Sequence, residues 1–263
     1  NILAVIFDDA KIIPVNFEIE NIRSNNYTYG HRFLHNDQIS IKSINNYLEE
    51  LRKNYVMLDV DDRKNEILSQ VEQLEERYSL KILMDEDLLD EVSGLVEWPI
   101  VHVGTFEDTF LELPKEVLIT SMKSHQKYFS VIDNKTGEIT NKFILVSNID
   151  STDKGKSIIN GNERVLSARL YDAKYFWDRD NAQTLIEKSE LLKNVTFHKD
   201  IGTLSNKVER IGNIAQKISE ILNIKDKNIT LASKLIKNDL LTEMVGEFPE
   251  LQGIMGRYYA LNQ

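Results

Sequence analysis

The hydrophobic positions of this chain change period a little past its middle. The first part mixes strand-like alternation with helical repeats, and the rest repeats as helices do. Ile2–Phe7 and Lys11–Phe17 are rich in Ile and Val. They flank Asp8-Asp9-Ala10, which predicts a hairpin with a short polar turn. Ser24–Gly30 reads as a polar loop, Ile39–Ile41 as a short strand, Ser43–Tyr55 as a helix and Val56–Leu58 as an extended piece. Asp61 or Asp62 is placed to cap a helix running to about Ser79, because Ile67, Val71 and Leu74 recur at helical spacing. Asp85–Glu97 predicts a second, acidic helix. Pro99–Val103 predicts a strand with proline first, where no ladder donor is needed. Pro114 suits the first turn of a helix reaching about Gln126. Tyr128–Ile132 and Phe143–Val146 read as strands around the turn Asn134-Lys135-Thr136-Gly137. Asp150–Gly161, rich in Lys, Ser, Asn and Gly, predicts a mobile loop.

From Asn162 onward the pattern is helical. Leu166, Leu170, Ala173 and Trp177 form one apolar stripe, and a polar helix follows near Leu185–Lys193. Leu204, Val208, Ile211, Ala215, Ile218 and Leu222 form a longer stripe. Ile236, Leu240 and Met244 mark another helix, with Gly246 placed as its C-cap, and Glu250–Leu261 a last one. No strand pattern follows about residue 147. The expected fold class is α+β: a mixed α/β body over 1–184, with a sub-boundary near 95, and an all-helical domain over 185–263.

Composition then narrows the function classes. The chain has 263 residues, 41% apolar and 28% charged, as globular proteins do. It has no cysteine, which excludes disulfides, thiolate nucleophiles and thiolate-bound zinc, and fits a reducing cytoplasm. No apolar run reaches the roughly 18 residues of a membrane span. No secretory signal opens the chain, and Asn1 is not a natural start, so the chain reads as a fragment. A net charge of −10 argues against a general nucleic-acid binder. The distribution says more. Residues 1–110 hold 10 Lys and Arg against 22 Asp and Glu, whereas residues 111–210 hold 16 against 14. The middle third is therefore the expected RNA-facing surface, and the acidic first third should repel phosphate or face a protein.

Five histidines offer metal or proton chemistry. His31 and His35 are four apart but lack the Glu of a His-Glu-x-x-His site, and His102 sits in an alternating strand. His125 stands in Lys123-Ser124-His125-Gln126-Lys127-Tyr128-Phe129. There Lys123, His125 and Lys127 could meet phosphate while the two rings stack on unpaired bases. A helix end with solvated lysines and a buried Tyr-Phe pair is the competing reading. Arg164 and Arg169 form a second basic group, with Lys154, Lys156, Lys174 and Arg179 around them; salt bridges to Glu163, Asp172 and Asp178 compete with phosphate binding. Asp239, Glu243 and Glu247 fall at successive four-residue steps, so a cation should answer them: a metal, a lysine such as Lys199, or a group on a partner. His198 precedes Asp239 by 41 residues, an order that resembles the HD phosphohydrolase pattern; however, the expected His-Asp pair is Asn238-Asp239, so one metal ligand is missing. Phosphate-binding glycine loops and the Gly-x-Ser-x-Gly elbow are absent, and no synthetase catalytic motif is recognisable. No residue is assigned a catalytic role, and no metal ligand set is assigned.

A further set of motifs runs through nearly the whole chain. It comprises Gly30-His31-Arg32-Phe33, Glu97-Trp98-Pro99, Leu113-Pro114-Lys115-Glu116-Val117-Leu118, His125-Gln126-Lys127-Tyr128-Phe129 and Val146-Ser147-Asn148. Gly161-Asn162-Glu163-Arg164-Val165-Leu166, Ala168-Arg169-Leu170, Asp172-Ala173-Lys174, Gly202-Thr203-Leu204 and the stretch from Leu240 to Ala260 complete it. In number, order and spacing it resembles the β subunit of bacterial heterotetrameric glycyl-tRNA synthetase. The resemblance implies a cytoplasmic α2β2 enzyme that joins glycine to tRNA(Gly) using ATP and Mg²⁺. The adenylation site, ATP and Mg²⁺ belong to the α subunit, so no cofactor is expected in this chain. The β subunit supplies tRNA binding and assembly, including a C-terminal anticodon-binding domain that this chain lacks. Its HD-like helical domain is similar, in its first part, to the region from about residue 185. The α/β body resembles a domain of the phenylalanyl synthetase β chain. Two other readings stay open: a metal-dependent HD-type phosphohydrolase using His198 and Asp239, with Glu243 in the same acidic cluster, and a structural module whose acidic first third docks the catalytic subunit.

Overall fold

The computed structural model describes residues 1–8, 11–43 and 45–263. The chain forms two compact units, Asn1–Thr105 with Gln126–Arg164, and Phe106–His125 with Val165–Gln263.

The first unit is built on a four-stranded antiparallel sheet in the order Leu80–Ile82, Phe129–Asp133, Ile139–Ser147, Ile100–Thr105. The helices Val60–Tyr78 and Glu86–Leu95 bury Ile67, Val71, Leu88, Leu89 and Val92 against its Ile82, Val101, Phe129, Val131 and Ile144. Both helices start on an aspartate. Asp59 accepts the Asp61 N–H and Asp85 accepts the Leu88 N–H, so the first cap falls two residues before the expected pair. Ser79, left-handed at φ 51, ends the first helix. Gly104 is opposite Phe143 in the register, and a Cβ there would collide with the Phe143 ring. Smaller sheets precede this core. Val5–Asp8 pairs with Lys11–Pro14 as the expected hairpin, although Asp9 and Ala10 of its turn lie outside the described residues. Tyr27–Tyr29 pairs with Gln38–Ser40, and Ile22–Asn25 pairs with both Ile2–Leu3 and Glu18–Ile19.

The second half of the expected loop Asp150–Gly161 is helix: Lys156–Asn181 forms one continuous helix of 26 residues. Asp153 is the reason. Its carboxylate accepts the Ser157 N–H at 2.9 Å, the Gly155 N–H at 3.1 Å and the Ser151 hydroxyl at 2.7 Å. These donors hold it well below the usual carboxylate range. Gly155 adopts φ 81 with its backbone against the His102 ring, where no Cβ fits.

The second unit takes the rest of that helix, with Leu166, Leu170 and Ala173 buried as the stripe predicts. It then adds Leu185–Lys188, Leu204–Ile221 and Asn228–Leu235. Three expectations need correction. The region after 185 is not strand-free, since Thr196–His198 pairs with Gly202–Thr203. The run from Ile236 onward is broken into Asn238–Leu241, Glu243–Glu247, Pro249–Leu251 and Ile254–Leu261. Thr242 caps one piece, Pro249 opens another, and Gly253 at φ 84 separates the last. Finally, the long stripe of Leu204–Ile221 is buried only at Leu204, with Ile218 and Leu222 exposed. Among the described residues no helix is long and apolar enough to cross a membrane.

Candidate functional site

The acidic residues after 238 do not line one helix, because Thr242 breaks the chain between Asp239 and Glu243. Asp239 is buried in a 3-10 turn. Its Oδ2 accepts the backbone N–H of Gly253 and, at 3.3 Å, that of Gly256, both at the start of Ile254–Leu261. Asn238 is equally buried and donates from Nδ2 to the Leu185 carbonyl at 2.7 Å and the Ser189 hydroxyl at 2.6 Å. A second buried acid does similar work. Asp180 accepts the Glu243 N–H at 3.1 Å, the Met244 N–H at 3.0 Å and the Tyr259 hydroxyl at 3.1 Å, with Lys188 Nζ 3.6 Å away. Burial first, and then Asp180, push the Tyr259 hydroxyl far above the ordinary tyrosine range. Each carboxyl group therefore caps a helix that is distant in sequence.

The remaining members of the expected HD-like set point elsewhere. Glu243 pairs with Arg179 at 3.1 Å. His198 is exposed on the small hairpin, where Nδ1 accepts the Asp200 N–H at 3.2 Å. Among the described residues no three His, Cys, Asp or Glu side chains are grouped to hold a metal ion. The metal-dependent phosphohydrolase therefore finds no centre here: the Asp239 position serves helix capping, and Asn238 offers an amide where that chemistry needs an imidazole.

The basic candidates separate into paired and unpaired groups. Ser121–Gln126 winds as a π-helical turn, a form that recurs at functional sites. It carries half-buried Lys123 and exposed His125, whose ring meets Phe248 edge-on at 5.4 Å. Lys127, in the left-handed region at φ 59, pairs with Glu91 at 2.8 Å. Tyr128 and Phe129 are core residues, not stacking platforms. Tyr128 lies over Phe143 at 4.7 Å and donates to Asn162 Oδ1 at 2.5 Å, and burial pushes its hydroxyl up to about 12. Lys174 sits between Glu112 at 3.3 Å and Asp178 at 3.4 Å. Arg164 and Arg169, by contrast, are exposed on the long helix, and among the described residues neither side chain makes an ion pair or a hydrogen bond. The side chains of exposed Lys154 and Lys156 just before them are likewise without such a partner among the described residues. Of these basic candidates, the free ones fall in residues 154–169. Arg32 and Phe33 are also exposed; in the sequence they carry no assigned chemistry, and their place in the Gly30–Phe33 motif was the signal that marked them.

Comparison with known proteins gives one answer. The protein-family model described as "Glycyl-tRNA synthetase beta subunit" matches residues 1–263. The glycine–tRNA ligase β subunit of Colwellia psychrerythraea is 46% identical over 245 residues, 93% of this chain and 35% of that protein. That of Paracoccus denitrificans is 43% identical over 264 residues, 99% of this chain and 38% of that protein. That of Syntrophomonas wolfei is 45% identical over 260 residues, 98% of this chain and 37% of that protein. The chain spans a little over a third of the length of these curated relatives. With a family match over every residue and identities of 43–46%, the chain belongs to the glycyl-tRNA synthetase β-subunit family.

Proposed function

We propose that this chain is the part of a glycine–tRNA ligase β subunit that helps hold tRNA(Gly) and assembles with an α subunit in a cytoplasmic heterotetramer. On this reading the α subunit performs adenylation with ATP and Mg²⁺, and this chain contributes no reacting group. Family membership supports the ligase reading. The observation that carries the RNA role is the run of exposed, unpaired Lys154, Lys156, Arg164 and Arg169 in an otherwise acidic protein. Unpaired cations are what counterion release from phosphate requires.

The same reading takes the region from about residue 185 as the start of an HD-like helical domain. Its support is the bare apolar face of Leu204–Ile221, where Ile214, Ile218 and Ile221 are exposed, 81% in the last case. A surface of that kind calls for further packing.

The test is tRNA affinity of the assembled ligase against salt. Arg164→Ala and Arg169→Ala should each lower affinity and reduce the log–log salt slope by about 1. An unchanged slope in both removes these residues from the RNA surface.

A further inference from the structure

The turn at Gly30–His35 is built to hold two side chains out in solvent. His31 is only 1% exposed. Its Nδ1 accepts the backbone N–H groups of Phe33 and Leu34, both at 3.2 Å. The His31 backbone N–H donates to the Asn54 carbonyl at 2.9 Å, and the His31 carbonyl accepts the His35 N–H at 2.8 Å. Gly30 lies so close to the His35 carbonyl and to Asn54 that a Cβ would collide with both. Between these ties, Phe33 is 74% exposed. Arg32 is exposed too. Among the described residues it has no ion pair or hydrogen bond, and its guanidinium lies 5.7 Å from the Phe33 ring centroid.

A single exposed aromatic is ordinary. Here a buried imidazole and a glycine fix the backbone beneath it, so little order is left to impose on binding. Aromatic residues and arginine are also the types that concentrate binding energy at protein interfaces. Residues 1–110 carry 22 acidic against 10 basic side chains, a field that opposes phosphate. We propose that the Arg32–Phe33 turn docks a partner protein: Phe33 enters an apolar pocket, and Arg32 meets a carboxylate at its edge. The proposal rests on the ligase-subunit reading, which makes the α subunit the partner.

The experiment uses full-length β subunit and α subunit, with their association measured by sedimentation and the tRNA affinity of the assembled enzyme measured separately. Phe33→Ala should weaken association roughly 30-fold and Arg32→Ala about 10-fold. The melting temperature of the β subunit alone and the tRNA affinity of the assembled enzyme should stay at wild-type values. Wild-type association in both variants overturns the proposal. So does intact assembly with reduced tRNA affinity, which would make the turn an RNA contact. Intact assembly with a lowered melting temperature overturns it as well, by placing the pair inside the subunit's own packing. If the wild-type chains do not associate at all, the ligase-subunit reading falls with it, an outcome distinct from any variant-specific result.

Discussion

Asp239 holds the start of the Ile254–Leu261 helix through the backbone N–H groups of Gly253 and Gly256. An aspartate that sequence order placed in a metal set is thereby engaged by main-chain donors. Asp239→Ala should destabilise the protein by about 2–3 kcal/mol, because buried donors lose a carboxyl acceptor. Urea unfolding should show a lower midpoint at unchanged slope. Adding EDTA should leave the wild-type midpoint where it was.

Gly256 offers a sharper test of the same contact. Alanine in place of a helical glycine usually gains up to about 1 kcal/mol. A Cβ at Gly256 would stand 3.1 Å from Asp239 Oδ2, which Gly253 already holds in place. Gly256→Ala should therefore show no gain or a loss. Gly161→Ala, in a helix with nothing within 4 Å of the added carbon, should raise the unfolding free energy.

Tyr259 ties the last helix to Asp180 inside the second unit. Tyr259→Phe keeps the ring stacked on Trp177 but leaves Asp180 with one donor fewer. The expected cost is about 1–2 kcal/mol in the same unfolding assay.

Tyr128 should make the protein sensitive to alkali. Its hydroxyl is raised from the ordinary 10.0 to about 12 by burial. The folded state thus keeps a proton that the unfolded state releases first. This share of stability is fully present below about pH 10 and is lost as pH rises toward about 12. Unfolding free energies compared at pH 9 and 11 should fall less in Tyr128→Phe than in wild type.

Lys174 and Lys127 give the negative counterpart of the arginine test. Both are held by carboxylates, Lys174 by Glu112 and Asp178, Lys127 by Glu91. Lys174→Ala should cost under about 1 kcal/mol, as exposed ion pairs do, and should leave the tRNA salt slope unchanged. A slope that drops as far as in Arg169→Ala would return Lys174 to the RNA surface.

By itself the sequence determined most of the local structure and the family. Ile67 and Val71 at helical spacing, proline before the strand at Ile100, and the Asn134–Gly137 turn all act through residues near them in the chain, so their pattern is legible. The motif order that marks the family is likewise a property of the chain alone. Tertiary structure decided which polar side chains are free. Asp153 starts a helix where composition suggested a loop, because three local donors converge on it. Lys174 and Arg164 look alike in sequence, yet only the first meets a carboxylate, supplied from Glu112 far back in the chain. Asp180 and Asp239 cap helices that begin many residues later. Hydrogen bonds and ion pairs are short-ranged, and outside the local set around Asp153 the deciding partners, such as Glu112 for Lys174 and Glu243 and Met244 for Asp180, are distant in sequence, so no spacing rule could assign them.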